Sequence, residues 1–204
     1  MPNLNNKGAL ITGAGRGTGQ AIALALAQAG ARVAVVDVNP DAAQRTADLI
    51  AAAGGAAAVY VADVTNKMGV QTMLYEVLDA WGQIDILVNA AHVTPSRDAL
   101  KMDEWEWNRT LDTNLKGAFL VAQTVARAMT TTGGGLILNV LRAPEASSHA
   151  AVRAAQEGLL GLTGALKAEW AAVHIRVESL SAAANAAQAA AEAVQKSEAF
   201  FTSQ

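Results

Sequence analysis

The chain has 204 residues, a formal net charge of −3, and 52% hydrophobic against 16% charged residues. That length suits one domain with a sizeable core, and that balance excludes intrinsic disorder and lacks the basic excess of a nucleic-acid surface. Cysteine is absent and histidine occurs only at positions 92, 149 and 174, which excludes disulfides, thiolate metal sites and thiol nucleophiles and leads us to expect no metal centre. No apolar run approaches the ~18 residues of a membrane span, and no basic-then-apolar leader opens the chain, so a cytoplasmic protein is expected.

In chain order, short β-branched runs alternate with longer segments rich in Ala and Leu. Residues 8–12 read as a strand and 17–30 as a helix. Residues 32–38 (RVAVVDV) read as a buried strand, 40–53 as a helix, 57–62 as a third strand and 66–81 as a helix. A fourth strand is read at 84–89 (IDILVN), a long helix at 104–130, a fifth strand at 135–141 (GLILNVL), a second long helix at 148–172 and a sixth strand at 174–180 (HIRVESL). Beyond residue 181 the composition turns Ala-rich with no further strand. Helix propensity predicts a helix from about Asn185, read as a low-complexity surface helix with frayed ends. Strands alternating with helices of this length predict parallel βαβ units with right-handed crossovers. The expected fold is α/β: a three-layer, doubly wound (Rossmann) parallel sheet of six strands in order 3-2-1-4-5-6, forming one domain over 1–204.

The segment Thr12-Gly13-Ala14-Gly15-Arg16-Gly17-Thr18-Gly19 follows the first strand and opens the first helix. Glycines at 13, 17 and 19 allow a tight turn and let the backbone approach a pyrophosphate, which the free N–H groups of the helix N-terminus then face. A glycine-rich stretch alone is a weak signal. Strand, turn, helix and second strand occur here in the order a dinucleotide site needs. Asp37, at the end of the second strand, can accept hydrogen bonds from the adenosine ribose hydroxyls and repel a 2′-phosphate, which favours NAD over NADP. Arg16 could attract that phosphate and is weighted below Asp37. Asp63 and Val64 follow the third strand, where an adenine edge would lie.

With these residues in place the chain resembles the short-chain dehydrogenase/reductase family over residues 7–181. The carrying motifs are TGAGRGTG at 12–19, DV at 63–64, ILVNA at 86–90, Asn114-Leu115-Lys116-Gly117, GLLGLT at 158–163 and IRVES at 175–179. The resemblance implies NAD(P)-dependent oxidation and reduction of alcohols and ketones, cofactor contacts at Gly13, Arg16, Gly17, Thr18, Gly19, Asp37, Asp63, Val64 and Asn89, and assembly as dimers or tetramers. It also implies a last strand that this chain lacks.

The family's catalytic set is an Asn, a Ser, and a Tyr and Lys spaced as YxxxK. Asn114 matches the first member. Arg142 falls at the Ser. Counting back from Gly161-Leu162-Thr163 puts Val152 at the Tyr and Gln156 at the Lys; the loop from 142 to 152 is slightly shorter than the family's. A register slipped by one turn instead offers His149 and Arg153. Val152 has no proton to transfer, whereas His149 has an imidazole suited to acid/base work near neutral pH. Two further positions depart from the family: His92 where a Gly follows the fourth strand, and Ala182-Ala183 where Pro-Gly follows the sixth.

The sequence therefore supports two functions. In the first, an NAD(H)-binding-type member is catalytically impaired and serves as a non-catalytic or structural partner subunit. It would pair with itself or with an active paralogue through helices 104–130 and 148–172. In the alternative, an active NAD(H)-dependent oxidoreductase acts on a hydroxy or keto substrate, anionic if Arg142 and its basic neighbours meet it, with His149 as acid/base. No nucleic-acid or membrane partner is expected.

Overall fold

The computed structural model describes residues 4–95, 97–142, 149–182 and 185–202. Six strands carry the sheet: β1 (Gly8–Thr12), β2 (Arg32–Asp37), β3 (Ala56–Val61), β4 (Ile86–Asn89), β5 (Gly135–Leu141) and β6 (Ile175–Ser181). All pair in parallel, in the order β3-β2-β1-β4-β5-β6. Successive residues of a strand point to opposite faces, so an apolar run buried on both sides feeds two cores at once. On β1, Ala9 and Ile11 enter one core and Leu10 the other; on β2, Val33 and Val35 oppose Ala34 and Val36; on β5, Leu136 and Leu138 oppose Ile137.

Helices α1 (Gly17–Gln28), α2 (Pro40–Ala52) and α7 (Ala186–Thr202) bring residues to the first core, while α3 (Lys67–Trp81), α5 (Ala118–Met129) and α6 (Ala150–Trp170) bring residues to the second. These are the three layers expected from the sequence. Local capping sets several boundaries: the Asn39 side chain accepts from the Ala42 N–H with Pro40 opening α2, and Asn66 accepts from the N–H groups of Met68 and Gly69 to start α3.

Two expectations change. The helix expected over 104–130 is one helical run with a wide turn inside it: α4 (Glu104–Leu111) passes through a π-helical turn (Asp112–Gly117) into α5. An extra residue in a turn is a feature that often accompanies functional sites, and Asn114 sits within it. The Ala-rich tail is part of the core rather than a frayed surface helix. On α7, Ala189, Ala190, Ala193, Ser197 and Phe200 are buried, and the helix packs against α1, whose Ala21, Leu24 and Ala25 join the same cluster. Small side chains on both helices permit close approach, and Lys196 pairs with Glu178 of β6 at 2.6 Å. Among the described residues no strand pairs with the outer edge of β6, and no helix is long and apolar enough to cross a membrane.

Candidate functional site

Strand β1 ends at Thr12, and the chain turns tightly into α1. Gly13 and Gly17 adopt the left-handed region, at φ +63° and +59°. Close approach also demands glycine. A Cβ on Gly13 would lie 2.6 Å from Ala91 Cα, one on Gly15 would lie 2.7 Å from Ala42 Cβ, and one on Gly19 would run into the Gly13 carbonyl. Arg16, at the cap of α1, makes no side-chain capping bond, so its side chain leaves the first-turn N–H groups of the helix uncapped.

Asp37 ends β2 on the face shared with this loop. The Gly15 N–H donates to its Oδ2 at 2.9 Å and the Asn39 N–H to its Oδ1 at 3.0 Å. The carboxylate is thus oriented from both sides. Beyond β3, Asp63 Oδ1 accepts from the Thr65 N–H and hydroxyl at 2.9 and 2.8 Å, and Val64 packs where a Cβ on Gly117 would come within 2.7 Å of it.

These groups open onto a cavity of about 480 Å³, a size that suits a small organic ligand. Gly13, Arg16, Asp37, Asp63 and Val64 line it. So do the segment Ala90, Ala91, His92 and Val93 after β4, Arg142 after β5, and Trp105, Asn108, Arg109, Asp112 and Thr113 from α4 and the π-turn. Thr12 Oγ1 accepts from the N–H groups of Ala90 and Ala91 at 3.2 and 3.4 Å, tying the end of β1 to that lining segment.

Asn114 is buried and faces the same segment. Its Oδ1 accepts from the Val93 N–H and its Nδ2 donates to the Val93 carbonyl, both at 2.8 Å. The side chain therefore imitates a strand partner and pins the cavity wall. His92 lies just before Val93. Burial first, and the Arg142 guanidinium second, hold its imidazole down to about 4, so it is neutral at physiological pH. Its register explains the juxtaposition. Asn89 of β4 pairs with Asn139 of β5, and His92 and Arg142 each lie three residues further on.

The remaining expected site residues fall elsewhere. Asn89 does not line the cavity. Its Nδ2 donates to the Ala118 carbonyl at 3.3 Å and to Asn139 Oδ1 at 2.9 Å, and Asn139 Nδ2 passes the chain on to Thr163 Oγ1 at 2.9 Å. The pleat turns the Asn89 side chain toward α5 and Asn139, where it braces β4 against β5, and Asn139 carries the brace on to α6. Thr18 is buried in the first turn of α1 and does not line the cavity. Val152 is buried on α6, and Gln156 Oε1 accepts from the Arg142 N–H at 2.9 Å, bringing residue 156 beside residue 142. His149 stands at the N-terminal boundary of α6 without a side-chain capping bond and Arg153 is exposed one turn on; neither lines the cavity. Most of the loop read as shortened, residues 143–148, and Ala183 of the Ala182-Ala183 pair lie outside the described residues.

Sequence reasoning missed the contribution of α4. Nothing in its local pattern says which side of the helix overlies a cavity; there Arg109 stacks on Trp105 at 5.1 Å. It also missed the Asn139–Thr163 link, for which a signal existed: an Asn interrupts each of two apolar strand runs, near the end of both.

The model of the short chain dehydrogenase family matches residues 7–198, running past the sixth strand into α7. The D-threitol dehydrogenase of Mycolicibacterium smegmatis is 38% identical over 183 residues, covering 87% of this chain and 70% of that protein. The NAD-dependent glycerol dehydrogenase of Listeria innocua is 34% identical over 184 residues, covering 88% and 70%. The crystal structure of a metagenomic short-chain oxidoreductase in complex with NADP superimposes with a TM-score of 0.90 at 28% identity, covering 96% of this chain and 92% of that one.

Proposed function

Since the chain belongs to the short-chain dehydrogenase family, we propose that it binds a nicotinamide dinucleotide, NAD(H) ahead of NADP(H), and acts as an oxidoreductase interconverting hydroxyl and carbonyl groups. The observation that carries the cofactor reading is Asp37. It is a cavity-lining carboxylate whose two oxygens are held by the Gly15 and Asn39 N–H groups beside a turn in which Gly13, Gly15 and Gly19 leave no room for a Cβ. The residues suited to hold the dinucleotide are Gly13, Arg16, Gly17 and Gly19 at the phosphates and Asp37, Asp63 and Val64 at the adenosine. A bound nicotinamide supplies the acceptor or donor of hydride.

The relatives named D-threitol and glycerol dehydrogenase support a polyol or its keto form as substrate. Within the cavity this chain offers His92 and Arg142 beside one another. The Arg142 guanidinium can stabilise the developing alkoxide, and the neutral His92 imidazole, kept from protonation by burial and by Arg142, can hydrogen-bond the substrate oxygen and orient it. His149, the acid/base of the slipped register, stands at the start of α6 and does not line the cavity.

Val152 and Gln156 favour a second reading. Neither can supply the phenol or ammonium of the family's Tyr and Lys. The protein would then hold the dinucleotide without turnover and act as a partner subunit, pairing through helices 104–130 and 148–172 with itself or an active paralogue. Calorimetry with NAD(H) and NADP(H), followed by turnover on threitol, glycerol, sorbitol and the matching ketones, separates the two. Binding with turnover supports the first reading and binding without it the second. Absence of binding to either dinucleotide overturns both.

A further inference from the structure

Thr46 is completely buried on α2 and does not line the cavity, yet its hydroxyl reaches the glycine turn. A buried helical threonine ordinarily gives its hydroxyl to the carbonyl one turn back. That carbonyl, of Ala42, lies 3.3 Å away, whereas the Ala14 carbonyl in the turn lies at 2.9 Å. Gln20 of α1 completes the arrangement by donating its Nε2 to Thr46 Oγ1 at 2.9 Å. The acceptor of the hydroxyl and the donor to Asp37 belong to one peptide unit: the Ala14 carbonyl faces Thr46, and the Gly15 N–H faces Asp37 Oδ2 at 2.9 Å. A trans peptide is planar with its C=O and N–H opposed, so fixing one end fixes the other. The Ala14 N–H is held by the Val36 carbonyl at 3.1 Å, and Ala42, one turn before Thr46, sits where a Cβ on Gly15 would lie.

We propose that Thr46 is a positioning residue for the dinucleotide: its hydroxyl locks the Ala14–Gly15 peptide plane, aims the Gly15 N–H at Asp37, and so orients the carboxylate that selects NAD(H) over NADP(H). This rests on the cofactor reading given above. The selecting group thereby depends on a contact made from the far side of the loop, by a helix none of whose residues lines the cavity.

The test pairs Thr46→Val, which keeps the shape and removes the hydroxyl, with Thr46→Ser, which restores it. In ligand-free protein, amide exchange at Gly15 followed by NMR is expected to accelerate about tenfold in Thr46→Val and to change less than about twofold in Thr46→Ser, the loss of one buried hydrogen bond being worth about that factor. Calorimetry is expected to give an NAD affinity about tenfold weaker in Thr46→Val, an NADP affinity changed only about twofold, and parental values in Thr46→Ser. Should Thr46→Val not fold, Gln20→Leu, which removes the donor holding that hydroxyl, is expected to shift both readouts in the same direction. A Thr46→Val protein that melts lower but keeps the parental Gly15 exchange and the parental NAD-to-NADP ratio overturns the proposal, because the hydroxyl would then serve only α2. If the parent binds neither dinucleotide, the cofactor reading fails, and the Gly15 exchange still decides whether Thr46 locks the peptide.

Discussion

Replacing Asp37 by alanine removes the acceptor of two backbone N–H groups and the one carboxylate that the glycine turn orients into the cavity. Hydrogen bonds to a charged group contribute about 1.5–3 kcal/mol, so losing the ribose contacts is expected to weaken NAD about 10- to 100-fold. NADP responds differently. The same variant loses whatever ribose contact remains but is relieved of repulsion between the carboxylate and the 2′-phosphate, and the two effects offset each other. The affinity ratio of NAD to NADP should therefore fall by at least about tenfold. The stability cost is smaller. The orphaned Gly15 N–H is partly buried while the Asn39 N–H reaches solvent, so a loss of about 1 kcal/mol is expected in urea unfolding. Calorimetry of the parent and Asp37→Ala with both dinucleotides is the assay. Equal losses for NAD and NADP would refute the argument and reduce Asp37 to a group that merely braces the turn.

Asn139→Leu removes one hydrogen bond from Asn89 and one from Thr163, which keep their bonds to the Ala118 and Leu159 carbonyls, so a destabilisation of about 1–3 kcal/mol is expected by urea unfolding; a change under ~0.5 kcal/mol would dismiss the strut. His92 is held at about 4 against an ordinary 6.5, so between those values the unfolded chain binds a proton that the folded chain refuses. Its contribution is whole above pH 6.5, declines as pH falls toward about 4 and then levels; it amounts to about 2 kcal/mol after allowance for partial exposure. Unfolding of the parent and His92→Asn at pH 7.5 and 4.5 checks it: the variant should lose less on acidification, and identical losses would exclude His92. Finally, Trp105 is 65% and Trp107 38% exposed on α4, the first part of the 104–130 run proposed for pairing. Sedimentation at micromolar concentration is expected to give at least a dimer; a clean monomer would remove self-pairing, and a monomer with no partner recovered from its native lysate would remove the partner-subunit reading.

Local chemistry determined much of this molecule. Alternation of apolar residues set strand and helix, right-handed crossovers set the sheet order, and the glycines at 13, 17 and 19 announced a turn that needs left-handed and close-approach backbone. Asp37 was legible because it ends a strand next to that turn in space as in the βαβ pattern. Tertiary structure decided what local pattern does not encode. An Ala-rich tail reads as a bland helix until α1 presents an equally small-sided face, and then its alanines become core. Nothing in the local pattern says that Asn89 meets Asn139, 50 residues on, across two paired strands. The pairing of Asn89 with Asn139 brings His92 and Arg142 together, although 50 residues separate them, and leaves His149 at the end of a helix away from the cavity lining. Periodicity is a property of neighbours along the chain, whereas a site is a property of strand register and helix facing, which only the packed sheet fixes.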